Sequence, residues 1–346
     1  MALVGHMYKD LVEERAWISD LDYKDGLALA QLAPGPLAAQ LAIYLGYVHF
    51  RILGATLVGI AFVLPSFLMV VALGWAYQRY GGLPWMQAVF YGIGACVIGI
   101  ITHSAVKLTK KTVGRDKLLW GVYLVAAVVT AITESETIWI FLVGGIFLWL
   151  VKTPPAFLKS KTGLAAVSLP ALWIMFLFFA KAGTFVFGSG LAIVPFLFSG
   201  VVKEFHWLND RQFLDAVAVA MITPGPVVIT VGFIGYLVYG LTGAVVAAFG
   251  TFFPCYLFTI IPAPYFKKYG KRPGIAAFVD GVTAAAIGTL CGAVIVLARK
   301  SLVDVPTILF AAATLVLLWR AKKIPEPLLV LGAGLLGLLL KFWIKT

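Results

Sequence analysis

The chain has 346 residues, 62% of them hydrophobic and only 12% charged, with a formal net charge of +12. So little polar surface cannot clothe a water-soluble domain of this size. The cations fall almost wholly between apolar runs, so they read as topology signals and lipid-headgroup contacts rather than as a nucleic-acid footprint.

The apolar runs 52–77 and 274–298, the second interrupted by Asp280, exceed the ~20 residues that cross a hydrocarbon core. Lipid cannot satisfy free backbone groups, so spans must be helices or closed barrels. The ~10-residue alternation of a barrel is missing. The expected fold is an all-α polytopic membrane protein. Cys96, Cys255 and Cys291 are widely spaced and lie in apolar segments, and His6, His49, His103 and His206 form no ligand pattern. No cofactor and no metal are expected. No Walker A pattern is present, so ATP is not the direct energy source. A membrane enzyme acting on lipid needs paired carboxylates or a His-metal cluster, and neither appears; the chain is read as a non-enzyme.

In chain order, the first element is an interfacial elbow at Glu14-Arg15-Ala16-Trp17, with the Trp as anchor. The apolar stretch 22–49 follows, and Pro34-Gly35-Pro36 breaks it. Two prolines around a glycine remove donors and free φ, which splits a helix in two. The second half-helix then presents free N–H groups and the positive end of its dipole, an anion site. Gln31 and Gln40 flank this break. A helix over 163–187 carries Lys181, a costly intramembrane charge that reads either as an anion contact or as a side chain snorkelling to the nearer face. Gly188-Ser189-Gly190 follows, a second helix-breaking turn that lets an anion approach the backbone. Another elbow spans 204–207. The stretch 212–239 is broken by Pro224-Gly225-Pro226, flanked by Thr223 and Thr230. Asp25 and Asp215 fall about 14 Å before their breaks at 1.5 Å per residue, which puts them near the interface. Asp280 lies inside the last long run and is the candidate for proton coupling, or for a salt bridge with Lys181.

The chain repeats itself. Residues 1–36 lie on 191–226 without a gap, with 12 of 36 positions identical. Farther on the spacing is 189, and it aligns Gly46 with Gly235, Gly54 with Gly243, Pro65 with Pro254, Gly92 with Gly281 and Gly99 with Gly288. Glycine and proline punctuate backbone geometry, so this coincidence predicts a shared fold. The repeats are taken as 1–155 and 163–346. By the same spacing, the first lacks the opening helix and glycine turn of the second.

Equivalent loops carry opposite charge loads. Lys107, Lys110, Lys111, Arg115 and Lys117 face only Arg299 and Lys300 in the partner loop; Lys267, Lys268, Lys271 and Arg272 face only Arg79. Cytoplasmic loops are rich in Lys and Arg. The halves are therefore expected to be inverted, each with an odd number of crossings, five or seven depending on whether the broken segments cross or re-enter. Inverted repeats with discontinuous helices are an architecture of secondary transporters, in which substrate sits where helices break.

The segments 13–17, 28–36 (ALAQLAPGP), 187–195 and 220–226 (AMITPGP), with the helices of Pro65 and Pro254, resemble the chromate ion transporter family over essentially the whole chain. The resemblance implies an inner-membrane carrier that exports chromate and confers resistance to it. The family's N-terminal Phe-Gly-Gly-Pro turn would fall before Met1. Sulfate or another tetrahedral oxyanion is the alternative cargo, and a homodimer is a possible assembly.

Overall fold

A computed structural model describes residues 2–81, 83–133, 138–152, 170–184, 186, 190, 193–223, 225–269, 273–320 and 325–343. Among them the regular structure is helical throughout. The elements are α1 (Ala2–Tyr8), running into a π-helical turn (Lys9–Glu14), α2 (Asp20–Leu32), α3 (Leu37–Tyr80), α4 (Pro84–Thr112), α5 (Lys117–Thr133) and α6 (Ile138–Lys152). Then come α7 (Ala171–Thr184), α8 (Ile193–Phe198) with its own π turn (Ser199–Glu204), and α9 (Asp210–Ile222). A 3₁₀ turn (Val227–Ile229) leads into α10 (Thr230–Ile260), followed by α11 (Ala263–Tyr269), α12 (Pro273–Ser301), α13 (Val305–Arg320) and α14 (Glu326–Trp343). The helical segments Leu37–Tyr80, Pro84–Thr112, Val227–Phe266 and Ala277–Ser301 are long and apolar enough to cross a membrane. Leu57, Ile60, Leu64 and Leu68 lie exposed along α3, a face that only an apolar solvent accommodates.

Local geometry recurs at the spacing of the sequence repeat. The π turns at 9–14 and 199–204 are 190 residues apart. Ala16 (φ 50°) and His206 (φ 51°) both sit in the left-handed region at the elbows. Gly35 (φ 145°) corresponds to Gly225 (φ 139°). Inside α3 the backbone reverses at Phe50 and Arg51 (φ 53°), and inside α10 it does so at Tyr239 and Gly240 (φ 60°). The two arms of α3, 37–49 and 52–80, meet at Gly46 and Gly54, where an added Cβ would overlap the opposing backbone. Gly235 and Gly243 do the same in α10.

Each part of the chain closes on the other. α4 packs on α13 and α14, and α12 packs on α5 and α6. The paired glycines make these approaches possible. A Cβ at Gly99 would stand 2.8 Å from the Ala311 carbonyl on α13, and one at Gly288 would stand 2.9 Å from the Ala126 Cβ on α5. Gly92 faces the Ala333 carbonyl on α14, as Gly281 faces that of Gly144 on α6.

Candidate functional site

Both Pro-Gly-Pro stretches interrupt their helices. α2 starts at a cap, with the Ser19 hydroxyl accepting from the Asp22 amide (3.1 Å). It stops at Ala33, which is held extended (φ −81°, ψ 142°), as the residue before a proline must be. α9 starts at a capping box between Asn209 and Gln212 and stops at Thr223 (φ −75°, ψ 132°). The positive φ of Gly35 and Gly225 lets the chain turn between the flanking prolines.

The first break is the tip of a hairpin. Gly26 packs on Leu41 and Tyr44, so α2 and the first arm of α3 run back along each other. The broken stretch is thus two short antiparallel rods, 20–32 and 37–49, of 13 residues each, about 20 Å long at 1.5 Å per residue, rather than one crossing. Past the break the Gln40 amide reaches the Pro36 carbonyl (3.0 Å), which leaves the N–H groups of residues 37–39 outside the helical ladder. Past the second break the Ile229 amide bonds the Pro226 carbonyl (2.9 Å), leaving those of Val227 and Val228. Neither Pro36 nor Pro226 supplies a side-chain cap.

One short segment touches both breaks. The Gly35 amide donates to the Val186 carbonyl (2.6 Å). Gly190 lies against the start of the second broken rod, where a Cβ would stand 3.3 Å from the Val228 amide nitrogen. Val186 and Gly190 are four residues apart, so the two contact points lie within about 14 Å of each other.

The flanking polar groups divide. Gln40 is fully buried, and its amide nitrogen donates to the Pro34 carbonyl (2.8 Å), while its Oε1 has no partner among the described residues. Gln31 is exposed. The Thr223 and Thr230 hydroxyls are buried and donate to the Ala220 (3.1 Å) and Val227 (2.7 Å) carbonyls. Their protons thus close local backbone bonds. Lys181 is exposed on α7, its Nζ 5.8 Å from the Phe196 ring centre. Gly188, Ser189 and Pro224, with Phe187, lie outside the described residues.

Asp215 is 4% exposed and accepts a hydrogen bond from Tyr77 (2.6 Å), so it is a buried link in the protein. One expectation needs correction. Asp280 is exposed on α12, and the charges acting on it are Lys152 and Asp116, not Lys181. Sequence reasoning passed over Ser66 and read Cys255 only as a cysteine in an apolar segment; both follow the helix-interior prolines. The signal was available, since both prolines and both breaks occupy equivalent positions.

A cavity of about 490 Å³ opens between the second arms of α3 and α10, lined by Ile60, Val63, Phe67, Phe249, Phe252 and Tyr256 among others. Its lining is almost wholly apolar, and its Thr56 and Tyr256 hydroxyls bond each other (2.7 Å).

Two broken helices that approach one glycine-bearing segment inside a lipid-facing helical bundle match the architecture of a broken-helix membrane transport protein. The chain belongs to the chromate transporter family, whose profile matches residues 1–149 and 173–338. It is similar to a chromate transport protein of Cupriavidus metallidurans, at 68% identity over 98% of this chain and 88% of that protein. It is also similar to a probable chromate transport protein of Synechococcus elongatus (60% identity, 100% and 91% covered) and a chromate transport protein of Pseudomonas aeruginosa (30%, 97% and 87%). No solved structure matches.

Proposed function

We propose that the chain exports chromate across the inner membrane as a secondary, alternating-access carrier, holding the oxyanion between its two Pro-Gly-Pro breaks. One observation supports the site: Val186 accepts from the Gly35 amide at the first break, and Gly190, four residues on, packs so closely on Val228 past the second break that a Cβ there would stand 3.3 Å from its amide nitrogen. A dianion cannot enter hydrocarbon unpaired. Amides and helix dipoles at broken helices pair it without any titratable group. Lys181, five residues before Val186, supplies positive charge on the approach.

Two features support alternating access. The charge loads of equivalent loops favour inverted halves, 1–155 and 163–346, which can exchange conformations. The breaks also differ in state: Gly35 and Pro36 are buried, whereas Gly225 is exposed. Coupling to protons is assigned to Asp280. Asp280→Asn is expected to flatten the pH dependence of transport, and an unchanged profile removes Asp280 from coupling.

Chromate accumulation in cells expressing the chain tests the site. Wild type should lower accumulation, Gly225→Leu should abolish that effect and Lys181→Ala should weaken it. Equal protection by all three chains overturns the site. Sulfate competition in everted vesicles tests whether the site distinguishes two tetrahedral dianions of like shape.

A further inference from the structure

The cavity between the second arms of α3 and α10 has no part in the anion site. Its two walls are equivalent. Apart from Ile43, every lining residue has its counterpart 189 positions away in the lining too, as Ile60 has Phe249, Val63 has Phe252 and Phe67 has Tyr256. The stretches 56–67 and 245–256 thus enclose about 490 Å³ between them. Small-molecule sites span roughly 300–1,000 Å³.

Chemistry narrows the occupant. The Thr56 hydroxyl donates to the Ile52 carbonyl (2.8 Å), so the Tyr256 hydroxyl is the donor in the bond between the two (2.7 Å). Both protons are taken, and the other lining side chains are hydrocarbon. A polar guest finds no side-chain donor there, and water does not settle in an apolar cavity. Left empty, the walls forfeit their dispersion contacts.

Place and shape narrow it further. The cleft lies between Leu37–Tyr80 and Val227–Phe266, both long and apolar enough to cross a membrane. Ile60, Leu64, Phe249 and Phe253 line it and are exposed, so it opens on the lipid-facing side. Lipid tails are as apolar as leucine and are the solvent at that face. The cleft follows α3 from Thr56 to Phe67, about 16 Å at 1.5 Å per residue, which suits an extended guest.

We infer that the cleft between α3 and α10 is a lipid site that takes one acyl chain of a bilayer phospholipid as a wedge between the two long helices. The site stands whether or not the breaks hold an anion.

The test uses the full chain in phosphatidylcholine vesicles that contain a phosphatidylcholine with a diazirine midway along one acyl chain. Irradiation and peptide mapping give the yield of adducts on 56–67 and 245–256, with the exposed Val125 and Val128 of α5 as the ordinary lipid-facing control. After transfer into detergent and washing, irradiation should still label the cleft, while labelling of α5 falls about tenfold or more, the mark of a held chain against an exchanging one. In vesicles, Ala248→Trp, which fills the cleft from the α10 wall, should lower cleft adducts about tenfold and leave those on α5 unchanged. Val63→Trp fills it from the α3 wall and replaces the first variant if that one does not reach the membrane. Cleft adducts that wash out together with those on α5, or that survive a Trp variant, overturn the inference. So does a wild-type cleft without lipid adducts, including one in a chain that cross-links to a second copy there. Chromate movement is not the readout, so failure of the anion site leaves this result standing.

Discussion

The Tyr77 hydroxyl donates to the Asp215 carboxylate at 2.6 Å, tying the second arm of α3 to the half-helix that leads into the Gly225 break. Tyr77 is itself wedged edge-on against Phe90 and Phe233, with ring centres 5.4 and 5.6 Å apart. The ring therefore cannot turn away without losing both contacts. Tyr77→Phe keeps those contacts and strips a buried carboxylate of its donor. The expected cost is about 1.5–3 kcal/mol, the range for a hydrogen bond to a charged group. Thermal unfolding of the detergent-purified protein measures it. Asp215→Asn, which still offers an acceptor, should cost less.

Arg51 holds a left-handed conformation (φ 53°) at the reversal inside α3, where the equivalent residue of α10 is Gly240 (φ 60°). Strain of this kind is worth about 1–3 kcal/mol for a residue with a Cβ. Against its relief stand the Arg51 contact over the Tyr47 ring (5.8 Å) and the extra freedom glycine gives the unfolded chain. Arg51→Gly should leave stability unchanged or raise it by about 1 kcal/mol. A clear fall in melting temperature contradicts this account of the reversal.

Gly92 and Gly94 lie two residues apart on α4 and make a matched pair. A Cβ at Gly92 would overlap the Ala333 carbonyl and stand 3.1 Å from the Gly337 Cα, while nothing lies within 4 Å of one at Gly94. Gly92→Ala should destabilise by about 1–3 kcal/mol, because a backbone oxygen cannot step aside as a side chain can. Gly94→Ala should be neutral, or stabilising by up to about 1 kcal/mol through helix propensity. Fluorescence-detected size-exclusion after heating separates the two outcomes.

Asp116, in the connection between α4 and α5, binds Lys152 at 2.7 Å and also accepts from the Leu118 amide (2.9 Å). The lysine, followed by the amide bonds, holds its carboxyl below the usual carboxylate range. A depressed folded-state pKa gives stability that is present above the unfolded pKa and lost as pH falls through the folded one. Asp116→Asn keeps a capping oxygen and loses the ion pair. At neutral pH it should cost less than about 1 kcal/mol, because the pair is partly solvated. The difference from wild type should vanish in acid, which melting curves across the acidic range would show.

The breaks were legible because proline and glycine act locally. No distant contact is needed to know that Pro34-Gly35-Pro36 ends a helix. The glycines at 92, 99, 281 and 288 were legible as a repeat, and the structure supplies their reason: each admits a backbone carbonyl or a close neighbour from the other half. What stayed hidden depends on residues far apart in the chain. The burial of Asp215 follows from Tyr77, 138 positions away. Whether 22–49 crosses or folds back turns on Gly26 meeting Tyr44, which hydropathy does not encode. The threonine hydroxyls at 223 and 230 looked available for an anion because helical spacing placed them near the breaks. Carbonyls three residues earlier in the chain are closer, and take their protons.

Because Cys255 packs against the first break and Ser66 stands beside the second, each break leans on a residue from the other portion of the polypeptide. Severed between α6 and α7, the chain would yield two fragments, each with a row of bare peptide donors turned toward acyl tails at several kcal/mol apiece. Such fragments have every reason to find one another, and a working carrier assembled from two separately made pieces is a natural product of this interlocking.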